Sequence, residues 1–328
     1  MASRILLFLL FILTSLLSGY GFRHLHRKLP FGAKLDIVAL RQGIQRSILL
    51  FAVPAVSLGS LWILDLGRSG LGVLPVIGIV HTLTGGAFAI LIGRMMGLDR
   101  PRIGALFCCG FFSNLGSLGG LAVFLFFGEK RYAFVLLYKL FIEVMFYGIG
   151  FPVAKSFSPQ AEPVSFSFSG ALRLVFSDYF IVAALTAMAT GFVLNLASIP
   201  RPAFYSTLNS ILIPLNAFLM LFAIGLGLHF GRMKDYIREA LATMGIKFLL
   251  SPLVVFPTAF LLGLNVRDDL AILQVVLILS VMPPAYTATV PPSLYGLDLD
   301  MANSCWFLST VATALVIPVL ALILPLLG

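Results

Sequence analysis

The sequence predicts an all-α polytopic membrane protein, and three observations predict it. Hydrophobic residues fill 60% of the 328 positions and charged residues only 11%, against roughly 25% charged in soluble domains. Mean hydropathy is +1.05. The apolar residues gather in runs of membrane-spanning length with short basic segments between them, and at about 20 residues per span the chain holds about ten helices. No stretch is long and polar enough for a separate soluble domain.

Ile5 to Tyr20 is the first run. A signal peptide there would export the strongly basic segment FRHLHRKLPFGAK behind it, so a first transmembrane helix is expected instead. The second run, Ile44 to Leu64, carries Pro54, which removes a backbone donor and kinks or breaks the span. Leu71 to Ile92 follows with His81 near its middle, then Ile103 to Phe127, then Tyr132 to Ala154 with Lys139 and Glu143. A Ser/Pro-rich connector occupies the middle of the chain. Beyond it the runs are Leu172 to Ala197, Leu208 to Phe230 with Pro214, Ile237 to Leu264 with Lys247, Leu270 to Val290 with Pro283 and Pro284, and Met301 to Leu327. The expected organisation is a first five-helix repeat over residues 1–154, a connector over 155–171 and a second repeat over 172–328.

Basic residues set the expected topology. The loops after runs 1, 3, 5 and 7 hold most of them, including Arg23, Arg27, Lys28, Lys34, Arg94, Arg100, Lys155, Arg173, Arg232 and Lys234. The opposite side holds Arg4, Arg68, Lys130, Arg131, Arg201 and Arg267. The excess marks the cytoplasmic side and puts both termini outside the cytoplasm. It also explains the net charge of +9 without a nucleic-acid partner. An odd number of spans per half makes the halves antiparallel. Pro54 and Pro214 are 160 positions apart, Gly97 and Gly263 166, and Gly128 and Gly296 168. Such a drifting register suggests an inverted five-plus-five repeat, with a binding site at the midplane where symmetry-related helices are interrupted.

The fourth run places Ser113, Asn114, Gly116, Ser117, Gly119 and Gly120 within eight positions. Glycines weaken a helix, and an amide cannot be satisfied by hydrocarbon. One reading is a broken helix lining a substrate site, with its breaks at Gly119 and Gly120. The other is a close-packing face on which Asn114 bonds to a neighbouring helix. In the ninth run Pro283 and Pro284 form the matching break, and Tyr286, Thr287 and Thr289 supply hydroxyls either to substrate or to freed carbonyls.

Lys139, Lys247 and Glu143 are the charged groups deepest in apolar runs, and at such depth each needs a partner. Lys139 and Glu143 are spaced to neutralise each other across one helical turn, as a docking pair or as a coupling site. His81 and Lys247 share the 166-residue register and are candidates for proton sensing or anion attraction, with helix packing as the alternative for His81. The three cysteines, Cys108, Cys109 and Cys305, read as small buried hydrophobes. No HExxH, GxSxG, P-loop or Cys/His cluster is present, so neither an enzyme, a cofactor nor a metal is expected.

These pieces resemble the auxin efflux carrier (PIN-like) family, within the bile acid/auxin/arsenite transporter superfamily. Asn114-Leu-Gly116 with Leu118-Gly119 is similar to the family's Asn-x-Gly-Phe-Leu-Gly-Leu-Pro crossover, except that Ser117 and Leu121 replace its Phe and Pro. Met282-Pro283-Pro284-Ala285 with Tyr295-Gly296 is similar to its second crossover, and Ile213-Pro214-Leu215 and Leu308-Ser309-Thr310 to pieces of its seventh and tenth helices. The resemblance implies a secondary transporter of small organic anions in a bacterial inner membrane, working as an elevator. Helices 3–5 and 8–10 would move against a scaffold of helices 1, 2, 6 and 7, through which a homodimer could form. Protons or Na+ are the candidate coupling ions. A sodium-coupled bile-acid-type symporter and a ligand sensor that does not transport are the alternatives.

Overall fold

Apolar runs become helices here because hydrocarbon offers backbone groups no partner, so each must be bonded within its own segment. The computed structural model describes residues 2–26, 36–67, 70–159, 168–227 and 233–327. Arg27, Lys28, Lys34, Arg68, Arg232 and connector residues 160–167 lie outside them. Among the described residues eight helices are long and apolar enough to cross a membrane: α1 (Ser3–Leu25), α2 (Ile37–Trp62), α3 (Val73–Met95), α6 (Glu129–Ser156), α8 (Tyr179–Leu196), α9 (Phe204–Leu226), α10 (Met233–Leu261) and α13 (Leu299–Ile323). The fourth and ninth runs are divided, into α4 (Arg100–Phe111) with α5 (Leu115–Phe127) and α11 (Val266–Ser280) with α12 (Val290–Tyr295). The protein is therefore an all-helical, multi-pass membrane protein.

The sixth run differs from expectation. Phe168–Ser177 forms a separate helix, α7, and α8 starts only after Asp178, whose carboxylate accepts from the Phe180 and Ile181 amides. An Asp before an apolar run is an N-cap signal, so this boundary was readable.

Prolines act differently from expectation too. Pro214 sits inside an uninterrupted α9, so it is not a break. One missing N–H leaves one carbonyl free, which the surroundings of a membrane helix absorb. Pro54 does not break α2 either. It follows a π-helical turn, Ile48–Ala52, in which the Val53 amide reaches back five residues to Ile48 O. The turns Phe146–Gly150 before Pro152 and Ile246–Leu250 before Pro252 repeat the device. Widening the turn draws the carbonyl ladder away from the proline ring, which clashes with the carbonyl four residues back in a regular helix.

The chain divides into two units. One comprises Met1–Leu66, Gly120–Ala133 and Asp178–His229. In it α1 meets α9 where Gly19 faces Gly225, and α8 meets α2 where Gly191 lies on the Leu58 backbone. Small residues allow backbones to approach closely where lipid and protein are equally apolar. An ion pair adds to this packing: Arg201 grips both oxygens of Glu129, and Asn209 Nδ2 donates to Glu129 Oε1 at 2.6 Å.

The other unit comprises Gly67–Gly119, Phe134–Ser177 and Phe230–Gly328. Here α3 packs on α4 through Gly85 and Gly110, each of whose missing Cβ atoms leaves room for the other's carbonyl. Phe111, Phe112, Phe146 and Phe151 cluster around the end of α4, with Phe112 and Phe146 rings 4.4 Å apart.

Two helix ends in this unit are built alike. Gly97 (φ +69°) and Gly263 (φ +96°) are left-handed. The following amides, Leu98 N and Leu264 N, return to Gly93 O and Ala259 O at 3.1 Å each. No atom would crowd a Cβ at either glycine, so substitution adds only backbone strain. Gly97→Ala and Gly263→Ala are each expected to destabilise by about 1–2 kcal/mol, read as equal drops in thermal midpoint of the purified protein.

Candidate functional site

The two divided runs meet inside this second unit. After Phe111 the backbone of α4 turns extended at Phe112 (φ −87°, ψ 110°). Asn114 N donates to Pro283 O at 2.8 Å, and Ala285 N to Phe112 O at 2.9 Å. Ser113 and Pro284 thus form a single antiparallel β-bridge. Proline suits the second strand because Pro284 has no N–H to satisfy. The break at Phe112–Asn114 corrects the expectation placed on Gly119 and Gly120, which are helical. Gly119 is a packing residue: a Cβ there would lie 2.7 Å from Leu279 Cδ2 and 3.2 Å from Met282 Cγ. Gly120 leaves room for Tyr132.

Asn114 caps the helix that restarts. Its Oδ1 accepts from Leu118 N at 3.2 Å and from Ser117 Oγ at 2.6 Å, and its carbonyl accepts from Gly119 N at 3.0 Å. Its Nδ2 has no hydrogen-bond partner among the described residues. Beyond the second break a short 3-10 turn, Tyr286–Thr289, leads into α12. Thr289 Oγ1 donates back to Tyr286 O at 2.9 Å, Tyr286 stands edge-on to Trp306, and Thr287 is exposed.

A buried polar chain runs to this crossing. Lys247 Nζ donates to Ser113 Oγ and to Gly110 O, both at 2.5 Å. Ser113 Oγ lies 3.3 Å from His81 Nε2, and Tyr138 OH lies 3.0 Å from His81 Nδ1. Lys247, His81 and Tyr138 are fully buried. The structure thus brings the two register-matched residues together, and Ser113 is the point at which they meet. Tyr138 was missed by sequence reasoning, because an aromatic in an apolar run carries no signal of its own.

The helix that carries Lys139 and Glu143 is less regular than expected. A turn at Lys139–Phe141 interrupts α6, closed by Leu140 N to Leu137 O and Ile142 N to Lys139 O. The two side chains are therefore not on successive turns of one regular helix. Lys139 remains in electrostatic reach of Glu143 and also approaches the restarted helix: a Cβ on Gly116 would lie 2.9 Å from its Nζ. Cys108, Cys109 and Cys305 are free and buried.

The fold defines a multi-pass helical membrane protein with a crossing of two interrupted helices. No protein-family model matches the chain. The chain is similar to an uncharacterized transporter of Methanothermobacter thermautotrophicus, 26% identical over 285 residues that cover 86% of this chain and 88% of that protein.

Proposed function

We propose that the protein is a secondary transporter of small, carboxylate-bearing organic anions, of the auxin efflux carrier (PIN-like) type. The observation that carries this reading is the crossing itself. Two interrupted helices exchange backbone hydrogen bonds at Ser113 and Pro284; irregular backbone at membrane depth is tolerated where it is buried in protein or lines a cavity, and carriers with interrupted helices place their substrate at such breaks. The restarted helix begins with Asn114, and a helix N-terminus carries partial positive charge that favours a carboxylate. The substrate-binding set is Ser113, Asn114, Gly116, Ser117, Pro283, Pro284, Tyr286 and Thr287. The similarity to a transporter over most of the chain supports the same reading.

Ten spans in an inverted five-plus-five repeat are part of this proposal. The matched left-handed ends at Gly97 and Gly263, and at Gly128 and Gly296, support it. So does the meeting of register-matched His81 and Lys247 on one serine. In the proposed cycle the unit containing the crossing moves as an elevator carriage, in a plasma membrane with both termini outside the cytoplasm. Uptake of radiolabelled monocarboxylates and dicarboxylates into proteoliposomes tests the function. Saturable uptake of at least one, absent from empty liposomes, is expected, and no flux of any would overturn it.

Glu143 is the proposed proton-coupling carboxylate, with the Lys139 amine as its electrostatic neighbour. Glu143→Gln cannot exchange a proton, so uptake by the variant should lose its dependence on external pH. An unchanged pH profile would remove Glu143 from that role.

A further inference from the structure

In an unbroken helix Gly110 O would accept the amide of Asn114, four residues on. The crossing diverts that amide to Pro283 O, and Lys247 Nζ occupies the vacated bonding position on Gly110 O while also donating to Ser113 Oγ. The amine has no exposure. Gly85 closes the other side, where a Cβ would lie 3.6 Å from Nζ. Freed carbonyls at the C-terminal, electronegative end of an interrupted membrane helix coordinate monovalent cations in carriers of interrupted-helix design, and here the Ser113 hydroxyl oxygen stands beside such a carbonyl. The near groups are His81, which reaches Lys247 through Ser113, and the thiol of Cys109, which donates to Ala302 O. No carboxylate is bonded to the amine among the described residues.

We propose that the Lys247 ammonium is a tethered cation that fills a monovalent-cation site at the end of α4, so that this protein works without Na+. The part concerning flux rests on the carrier reading above, whereas the occupied site does not. A three-donor ammonium on a flexible stem replaces an ion that would otherwise be bound and released in each cycle.

The test uses the purified full chain in detergent, with NaCl titrated against choline chloride at constant ionic strength and thermal unfolding as readout. Wild type should show no Na+-specific shift. Lys247→Ala, which empties the site but keeps its oxygens, should unfold about 5 °C lower and be raised again, saturably, by Na+ or methylammonium. Lys247→Met, which fills the space without charge, should unfold lower and respond to neither. A Na+-specific, saturable stabilisation of wild type would overturn the proposal, as would a Lys247→Ala protein indifferent to both cations. Should Lys247→Ala fail to fold, Lys247→Ser is read in the same way, and the wild-type result stands alone as a test. In proteoliposomes, wild-type uptake of labelled benzoate or succinate should be equal in Na+ and choline. Flux that requires Na+ rejects the tethered cation and leaves the carrier. Absence of flux in both salts rejects the carrier and leaves the thermal result to decide the site.

Discussion

Asn114→Ala is expected to weaken organic-anion uptake by about 10–100-fold, and Asn114→Asp to abolish it while leaving the fold as stable as wild type. The two substitutions separate the two ends of one amide. Oδ1 is committed to the protein, accepting from Leu118 N and Ser117 Oγ. Nδ2 has no partner among the described residues and is the group available to a ligand. Alanine removes both. Loss of a capping side chain costs about 0.5–2 kcal/mol of stability. Loss of a hydrogen bond to a charged ligand costs about 1.5–3 kcal/mol, or about 10–100-fold in affinity.

Aspartate keeps the acceptor oxygen, and Asp and Asn cap helices about equally well. It exchanges the donor for a negative oxygen in contact with the carboxylate being carried. Paired measurements of uptake and thermal midpoint distinguish the roles. If Asn114→Asp transports normally, the site lies elsewhere. If Asn114→Ala loses stability and keeps its uptake, Asn114 is a cap alone.

Much of this crossing was legible because local sequence preferences conflict there. An Asn among glycines in one apolar run, and paired prolines in another, contradict the surrounding helix signal. What the sequence could not place was the break itself. Glycines 119 and 120 are the weak helix formers, yet the helix ends at Phe112, because Pro283 O and Ala285 N compete for the backbone from 169 and 173 positions away. That competition is non-local and leaves no mark in the run that loses. His81 and Lys247 could be matched by register, but not the serine joining them. Pro214 misled for the converse reason: a proline rule drawn from water fails where surrounding groups absorb the freed carbonyl.

Glu129 and Arg201 show the limit more sharply, and their removal is expected to destabilise the protein most. Arg201, between two prolines, reads as one of the loop charges that set the topology, and Glu129 follows the left-handed Gly128. In the fold their side chains are only 14% and 9% exposed. Arg201 holds both carboxylate oxygens and also donates to Gly59 O at 2.9 Å. Asn209 Nδ2 adds its bond to Glu129 Oε1. Glu129→Ala strands the guanidinium without a counter-charge and leaves Asn209 Nδ2 only its longer bond to Ser60 Oγ at 3.4 Å, and breaking a buried pair from one side costs about 3–5 kcal/mol. Arg201→Ala should cost a similar amount, since it strands the carboxylate. The double variant leaves no uncompensated charge, so its loss should fall short of the summed single losses by about 1–3 kcal/mol. Denaturant unfolding of the four proteins in mixed micelles measures this cycle. Strict additivity would mean that the two groups are solvated after all, because an exposed pair contributes about 0–1 kcal/mol.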